Sequence, residues 1–252
     1  MSPVYDCTTD EGRAEGVAKA AEAVRAGEVV VLPTDTVYGV GADAFSAEAV
    51  ASVLAAKGRG REMPPPVLVP SVRTVDGLAT DVPAYARDLI AEFWPGPLTL
   101  VLTAQASLMW DLGDTNGTVA LRMPQDDVAL ALLTEVGPLA VTSANLTGQP
   151  PATTVTDAAA QLGAAVSVYL DGGPTTSMEV STIVDCTGPT PTVLRAGAIT
   201  QDQIDAVLER PAEPEPSAVA SADATGRPGE DALELPPTSE PAADTPGETH
   251  ER

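Results

Sequence analysis

Histidine is all but missing from this chain of 252 residues: the single one, His250, stands two residues from the end. That removes a Ser-His-Asp triad and imidazole general-base chemistry. With only two cysteines, Cys7 and Cys186, it also argues against a zinc centre. Two cysteines make no disulfide scaffold and fit a reducing compartment. No apolar run approaches the ~20 residues that span a bilayer. The opening MSPVYDCTTDEGR is polar, unlike a leader. These absences predict a soluble, cytoplasmic protein without membrane association. Lysine is scarce as well, limited to Lys19 and Lys57, and the formal charge is −23. A chain this acidic repels nucleic-acid backbone unless a local basic patch overrides the net field.

What is present suffices for one domain of ordinary size with a full core, since 44% of the residues are apolar. The acidity is uneven. Residues 211–252 hold ten Asp or Glu against two Arg, with eight prolines and no aromatic residue. Such a segment cannot bury enough surface to offset its ordering entropy, so a disordered acidic tail is expected there. Residues 1–210 form the expected catalytic domain, still about −15 in charge with 11 Lys or Arg.

Within it, helical and strand patterns alternate. TTDEGRAEGVAKAAEAVRAG reads as a helix opened by a capping box from Thr8 to Glu11 and closed at Gly27. EVVVLP is a short β-branched run, hence a buried strand. SAEAVASVLAAK is a helix with Ser46 as N-cap. PVLVP, PLTLVLTA, GTVALRMP, PLAVTSAN, VSVYLDGG, STIVDCT and PTVLRAG read as strands. VPAYARDLIAEFW, DDVALALLTEVG, TDAAAQLG and TQDQIDAVLER read as helices. The predicted class is α/β: a twisted mixed sheet covered by helices.

Several polar clusters interrupt this apolar framework. LPTDTVYGVGAD ends a buried strand with Thr34, Asp35 and Thr36, then Gly39 and Gly41. Hydroxyls and free backbone amides there suit a small polar ligand, or simply an ordinary polar turn. KGRGR gathers Lys57, Arg59 and Arg61 into five residues. A mobile ammonium beside planar guanidinium forks suits a polyphosphate, although the Walker A spacing is absent. Lys57 also complements a helix C-terminus. A glycine-rich turn of this kind is expected at the surface, where truncating a side chain costs little stability. VTSANLTG places Ser143 and Asn145 directly after a strand, where a local turn is the alternative. Arg122 lies in an otherwise apolar strand, where it needs either a fixed acidic partner or a ligand anion. Ser181, Thr182 and Arg195 fall at strand edges.

Taken together, PTDTVYGVG, KGRGR, FWPGPLTLVL, VALRMP, SANLTG, STIVD and VLRAG occur in the order and spacing of the YrdC family, the L-threonylcarbamoyladenylate synthases. The resemblance runs from about residue 12 to 205 and omits the tail. It implies a deep concave cavity and a nucleotidyltransferase that condenses L-threonine, bicarbonate and ATP, with Mg²⁺, into threonylcarbamoyl-AMP and pyrophosphate. The product would pass to the tRNA threonylcarbamoyl transferase machinery to make N6-threonylcarbamoyladenosine. Direct tRNA contact and oligomeric state are left open.

Carried over by position, the resemblance implies reaction-centre roles for Lys57, Arg59, Ser143 and Asn145. It implies ATP contacts for Lys57, Arg59, Thr118, Asn145, Thr153 and Arg195, to which Arg61 is added as a compensating cation. Threonine contacts are implied for Thr34, Thr36, Arg122, Ser143 and Ser181, with the threonine carboxylate as the anion that Arg122 awaits. No residue is implied as a metal ligand. The family pattern after KGR departs here: Gly60 replaces a proline, Met63 an asparagine, and a histidine is absent from PPPVLVPS. A non-catalytic RNA-binding module of the same fold is the alternative, opposed by the scarcity of cations. A carbamoyl-adenylate domain of hydrogenase maturation proteins is opposed by the lack of zinc-finger cysteines.

Overall fold

The computed structural model describes residues 2–175 and 179–210, so the expected disordered tail lies outside the described residues. Among the described residues, ten strands form one mixed sheet. They are β1 (Val4–Asp6), β2 (Val30–Leu32), β3 (Gly39–Asp43), β4 (Val67–Leu68), β5 (Leu98–Thr103), β6 (Thr118–Arg122), β7 (Leu139–Ser143), β8 (Val168–Asp171), β9 (Thr182–Asp185) and β10 (Thr192–Arg195). The helices are α1 (Asp10–Arg25), α2 (Ala47–Lys57), the single turn α3 (Val75–Leu78), α4 (Ala84–Phe93), α5 (Asp127–Val136), α6 (Val155–Leu162) and α7 (Gln201–Leu208). Strand order is β1-β8-β2-β3-β7-β4-β6-β5-β9-β10. Pairs β1–β8, β8–β2, β4–β6 and β5–β9 are parallel and the other five are antiparallel.

The EVVVL run forms an interior strand, third in the order, and both of its faces are buried. Val30 and Leu32 point into a cluster with Ala20, Val24, Leu132 and Leu133 of α1 and α5. Val29 and Val31 point the opposite way, toward Val53 of α2 and Ala158 of α6. Period-2 alternation on a strand with apolar residues at every position leaves no face for water. A third cluster joins Leu98, Leu100 and Leu102 of β5 to Leu89 and Ile90 of α4 and Ile204 and Val207 of α7. Each fully buried leucine contributes roughly 1.5–3 kcal/mol by leaving water. The opposite face of β5 presents Thr99 and Val101 to a cavity.

Two local expectations are corrected. Helix α1 is capped one residue later than the sequence pattern implied: Thr9 accepts a hydrogen bond from the Gly12 amide. Thr8 is instead engaged by Asp6, whose carboxylate accepts from both its amide and its hydroxyl. The glycines of YGVGAD belong to a strand, β3, and not to a ligand loop. A Cβ on Gly39 would stand 2.6 Å from Val141 Cγ1, and one on Gly41 would stand 2.8 Å from the Ala140 carbonyl oxygen. Glycine is used at these positions so that β7 can approach β3 closely. Ser46 caps α2 as expected, accepting from the Ala49 amide.

Candidate active site

Strands β2 and β3 form an antiparallel pair in which Leu32 faces Gly39, so PTDTVY is the loop of a hairpin. Thr34 organises that loop: its hydroxyl donates to the Val37 carbonyl at 2.6 Å and accepts from the Thr36 amide at 3.2 Å. Both threonines are buried yet line a cavity of about 490 Å³. The polar turn and the ligand-facing surface are therefore the same residues. On β6, Thr118, Ala120 and Arg122 share one face by strand alternation, and all three line the cavity. Arg59, Ser143, Ser181 and Arg195 complete its polar wall, while Pro66, Leu68, Val101, Leu112 and Val141 supply apolar surface.

Arg122 has the fixed partner that the sequence reading set against a waiting anion. Its Nη2 donates to Asp35 Oδ1 at 2.6 Å, Nη1 to Thr36 Oγ1 at 3.0 Å and Nε to the Gly96 carbonyl at 3.0 Å. The pair is buried, with side-chain exposures of 8% and 12%. Burial pulls the Arg122 pKa down and Asp35 pulls it back up. Arg59 and Arg195 form no ion pair among the described residues. Arg59 donates to Thr142 Oγ1 at 2.9 Å, and its buried Nε has no partner. Arg195 donates to the Ser181 carbonyl and hydroxyl, and that hydroxyl lies 2.9 Å from Thr99 Oγ1. Burial, then the charges of Arg122 and Arg59, hold the Arg195 guanidinium below its usual range. Asp35 compensates Arg122, so the positive charge left on the cavity wall comes from Arg59 and Arg195, with Asp114 as the acid that lines the same cavity.

Four expected site residues stand back from the cavity wall. Lys57 is 3% exposed, so the expectation of a surface turn is overturned. Its ammonium donates to the carbonyls of Ser143 and Asn145, the latter at 2.6 Å, and to Asn145 Oδ1 at 3.3 Å. Its own carbonyl accepts from the Thr147 amide at 2.9 Å. Lys57 thereby holds the SAN turn from behind. Burial, then the neighbouring Arg59 charge, pushes its pKa down to about 8. The Asn145 amide is spent on the carbonyls of Leu146 and Gln149, each at 2.8 Å. Thr153 accepts at its carbonyl from the Thr175 amide. Arg61, taken above for a phosphate ligand, is exposed and forms a bidentate pair with Asp111, at 2.8 and 3.0 Å. That pair fastens the 105–117 segment, which contributes Leu112, Thr115 and Asn116 to the cavity.

Sequence reading grouped Asp35 with Thr34 and Thr36 but gave it no site role, and it missed Thr99 and Thr142, which line the cavity. Asp35 was signalled by its place between two threonines, whereas the other two carry no local mark. Among the described residues, no group of three His, Cys, Asp or Glu could hold a metal ion. No helix among the described residues is long and apolar enough to cross a membrane.

Comparison with known proteins agrees with this geometry. The Sua5/YciO/YrdC family model, described as "Telomere recombination", matches residues 22–197. A Mycobacterium tuberculosis protein with the provisional name threonylcarbamoyl-AMP synthase is 54% identical over 208 residues, covering 82% of this chain and 96% of that protein. The Bacillus subtilis threonylcarbamoyl-AMP synthase is 40% identical over 195 residues, covering 76% of this chain and 56% of that protein. The structure of Pyrococcus abyssi Sua5 complexed with L-threonine is 32% identical, with a TM-score of 0.77 over 82% of this chain and 61% of that one. This chain therefore spans little more than half the length of the latter two and nearly all of the first. The motifs, the mixed ten-stranded sheet and these likenesses converge on one assignment: the chain belongs to the Sua5/YciO/YrdC family.

Proposed function

We propose that this protein is an L-threonylcarbamoyladenylate synthase, condensing L-threonine, bicarbonate and ATP into threonylcarbamoyl-AMP and pyrophosphate. The observation that carries the reading is one cavity bordered by three guanidiniums and by the hydroxyls of Thr34, Thr36, Ser143 and Ser181. Its relatives are named for this reaction, and one of them is described with L-threonine bound.

The chemistry suits a site without histidine. The threonine amine and bicarbonate combine to a carbamate with loss of water, and a carbamate oxygen then attacks the α-phosphorus of ATP as the bond to the bridging oxygen breaks and pyrophosphate leaves. Both the nucleophile and the leaving group are anionic, so the barrier is mainly electrostatic. Arg59 and Arg195, neither of them in an ion pair among the described residues, are suited to the phosphates. Arg122, flanked by Thr36, is suited to the threonine carboxylate, which a guanidinium can hold with two parallel hydrogen bonds. Ser143 ends β7 at the start of the SAN turn and lines the same cavity, and it is assigned to the reaction centre. Thr118 is assigned to the nucleotide, and Thr34, Thr36 and Ser181 to threonine. In this reading Lys57 and Asn145 shape the turn that carries Ser143. The catalytic unit ends near Arg210, the enzyme works in the cytoplasm, and its unstable product passes to the tRNA-modifying transferase.

Initial-rate measurement of pyrophosphate release is the test. Release should require both L-threonine and bicarbonate. ATP turnover indifferent to either one would overturn the reading.

A further inference from the structure

Asp35 lies just behind the cavity wall, between the lining residues Thr34 and Thr36, and no role in the reaction assigned above requires it. Its Oδ1 accepts from Arg122 Nη2 and, at 2.9 Å, from the Gln125 amide. Its Oδ2 is buried without a partner. The carboxylate is thus turned away from the cavity and fixed between the arginine and the start of the next helix, where Asp126 caps α5. Arg122 has five N–H groups. Three are spent on Asp35, Thr36 and Gly96, which leaves one on each terminal nitrogen. Two N–H groups therefore remain for a ligand, on a guanidinium whose charge Asp35 compensates. Arg59 and Arg195 keep their charge, because neither is ion-paired among the described residues.

From this contrast we infer that Asp35 is a positioning residue that sets substrate placement: it clamps and neutralises Arg122, so that the amino-acid end of the cavity binds a single carboxylate by geometry while polyphosphate is directed to Arg59 and Arg195. The physical basis is distance and charge. A multiply charged phosphate chain follows net potential, and a carboxylate two bonds from an ammonium does not. With Asp35 neutral, Arg122 would present a buried, uncompensated charge. Any multivalent anion would then compete with threonine there, because one unit charge in a poorly solvated site is worth far more than in water.

The inference rests on the proposed reaction, and sulfate as a divalent probe separates the two. In the unaltered full chain, sulfate should raise the apparent KM for ATP and leave that for L-threonine unchanged. In Asp35→Asn, which keeps the acceptor oxygen and loses the charge, sulfate should become competitive with L-threonine and inhibit at least ~10-fold more strongly. Asp35→Glu, which keeps the charge, should restore the original pattern. Sulfate that competes with L-threonine in the unaltered protein would overturn the inference, whether or not Asp35→Asn folds. So would an Asp35→Asn enzyme that is merely less stable or slower, with sulfate still displacing ATP alone. Absence of any threonine-dependent turnover in the unaltered protein would instead remove the proposed function, and this inference with it.

Discussion

At the scale of single residues, Lys57 carries most of the lesson about burial. A lysine beside glycines reads as a solvated point charge, yet here it is enclosed, with three oxygens on its ammonium. Removing it strands those acceptors, each of which costs about 1–3 kcal/mol when buried and unpaired. Lys57→Met should therefore lower the melting temperature as well as turnover, whereas a surface phosphate ligand would lower turnover alone. The pH dependence has an unusual sign. The unfolded amine titrates near 10.5 and the folded one near 8. Between these values the unfolded chain holds the extra proton, so this residue's contribution to stability rises with pH. Activity should move the opposite way, because deprotonation takes a donor from the SAN turn. Turnover should fall as pH passes about 8, while the difference in melting temperature between the unaltered protein and Lys57→Met shifts in favour of the former. A flat rate profile from pH 7 to 9.5, on the order of two units spanning that value, would exclude this role.

At the scale of elements, the close approach of β3 to β7 and the 105–117 segment each make a claim. Gly41→Ala brings a Cβ to 2.8 Å from a main-chain oxygen and 2.6 Å from Val141 Cγ2. Backbone cannot yield as a flexible side chain does, so a loss of about 1–3 kcal/mol is expected in denaturant titration. Gly39→Ala meets Val141 Cγ1 at 2.6 Å instead, and Val141→Ala should rescue it. The segment 105–117 is held by Arg61–Asp111 and by Phe45 stacked on Trp110 with centroids 5.6 Å apart. An exposed ion pair contributes roughly 0–1 kcal/mol. Arg61→Ala and Asp111→Ala should accordingly raise the ATP requirement by similar small factors, and the double variant should be no worse than either. If Arg61 touched phosphate, its loss would be severe and that of Asp111 would not.

At the scale of the whole molecule, truncation after Arg210 should leave threonine- and bicarbonate-dependent pyrophosphate release unchanged. The cavity residues among the described residues all precede that point, and the removed stretch carries ten acids and no aromatic side chain. Activity lost with the melting temperature preserved would assign the tail a part in the site. The α/β class and the burial of EVVVL were legible in the sequence, because they rest on local periodicity and on apolar runs that water excludes. The three guanidiniums were legible too, since an acidic chain offers few cations and these fall within ordered motifs. Strand order, the partner of Arg122 and the burial of Lys57 were decided only by tertiary structure. Asp35 meets Arg122 across 87 positions of chain, and Lys57 meets Asn145 across 88. A helix end reads the same whether the neighbour folded against it is solvent or a turn of backbone carbonyls, so long-range packing alone determines whether its charge is free to hold a ligand or already committed to the protein.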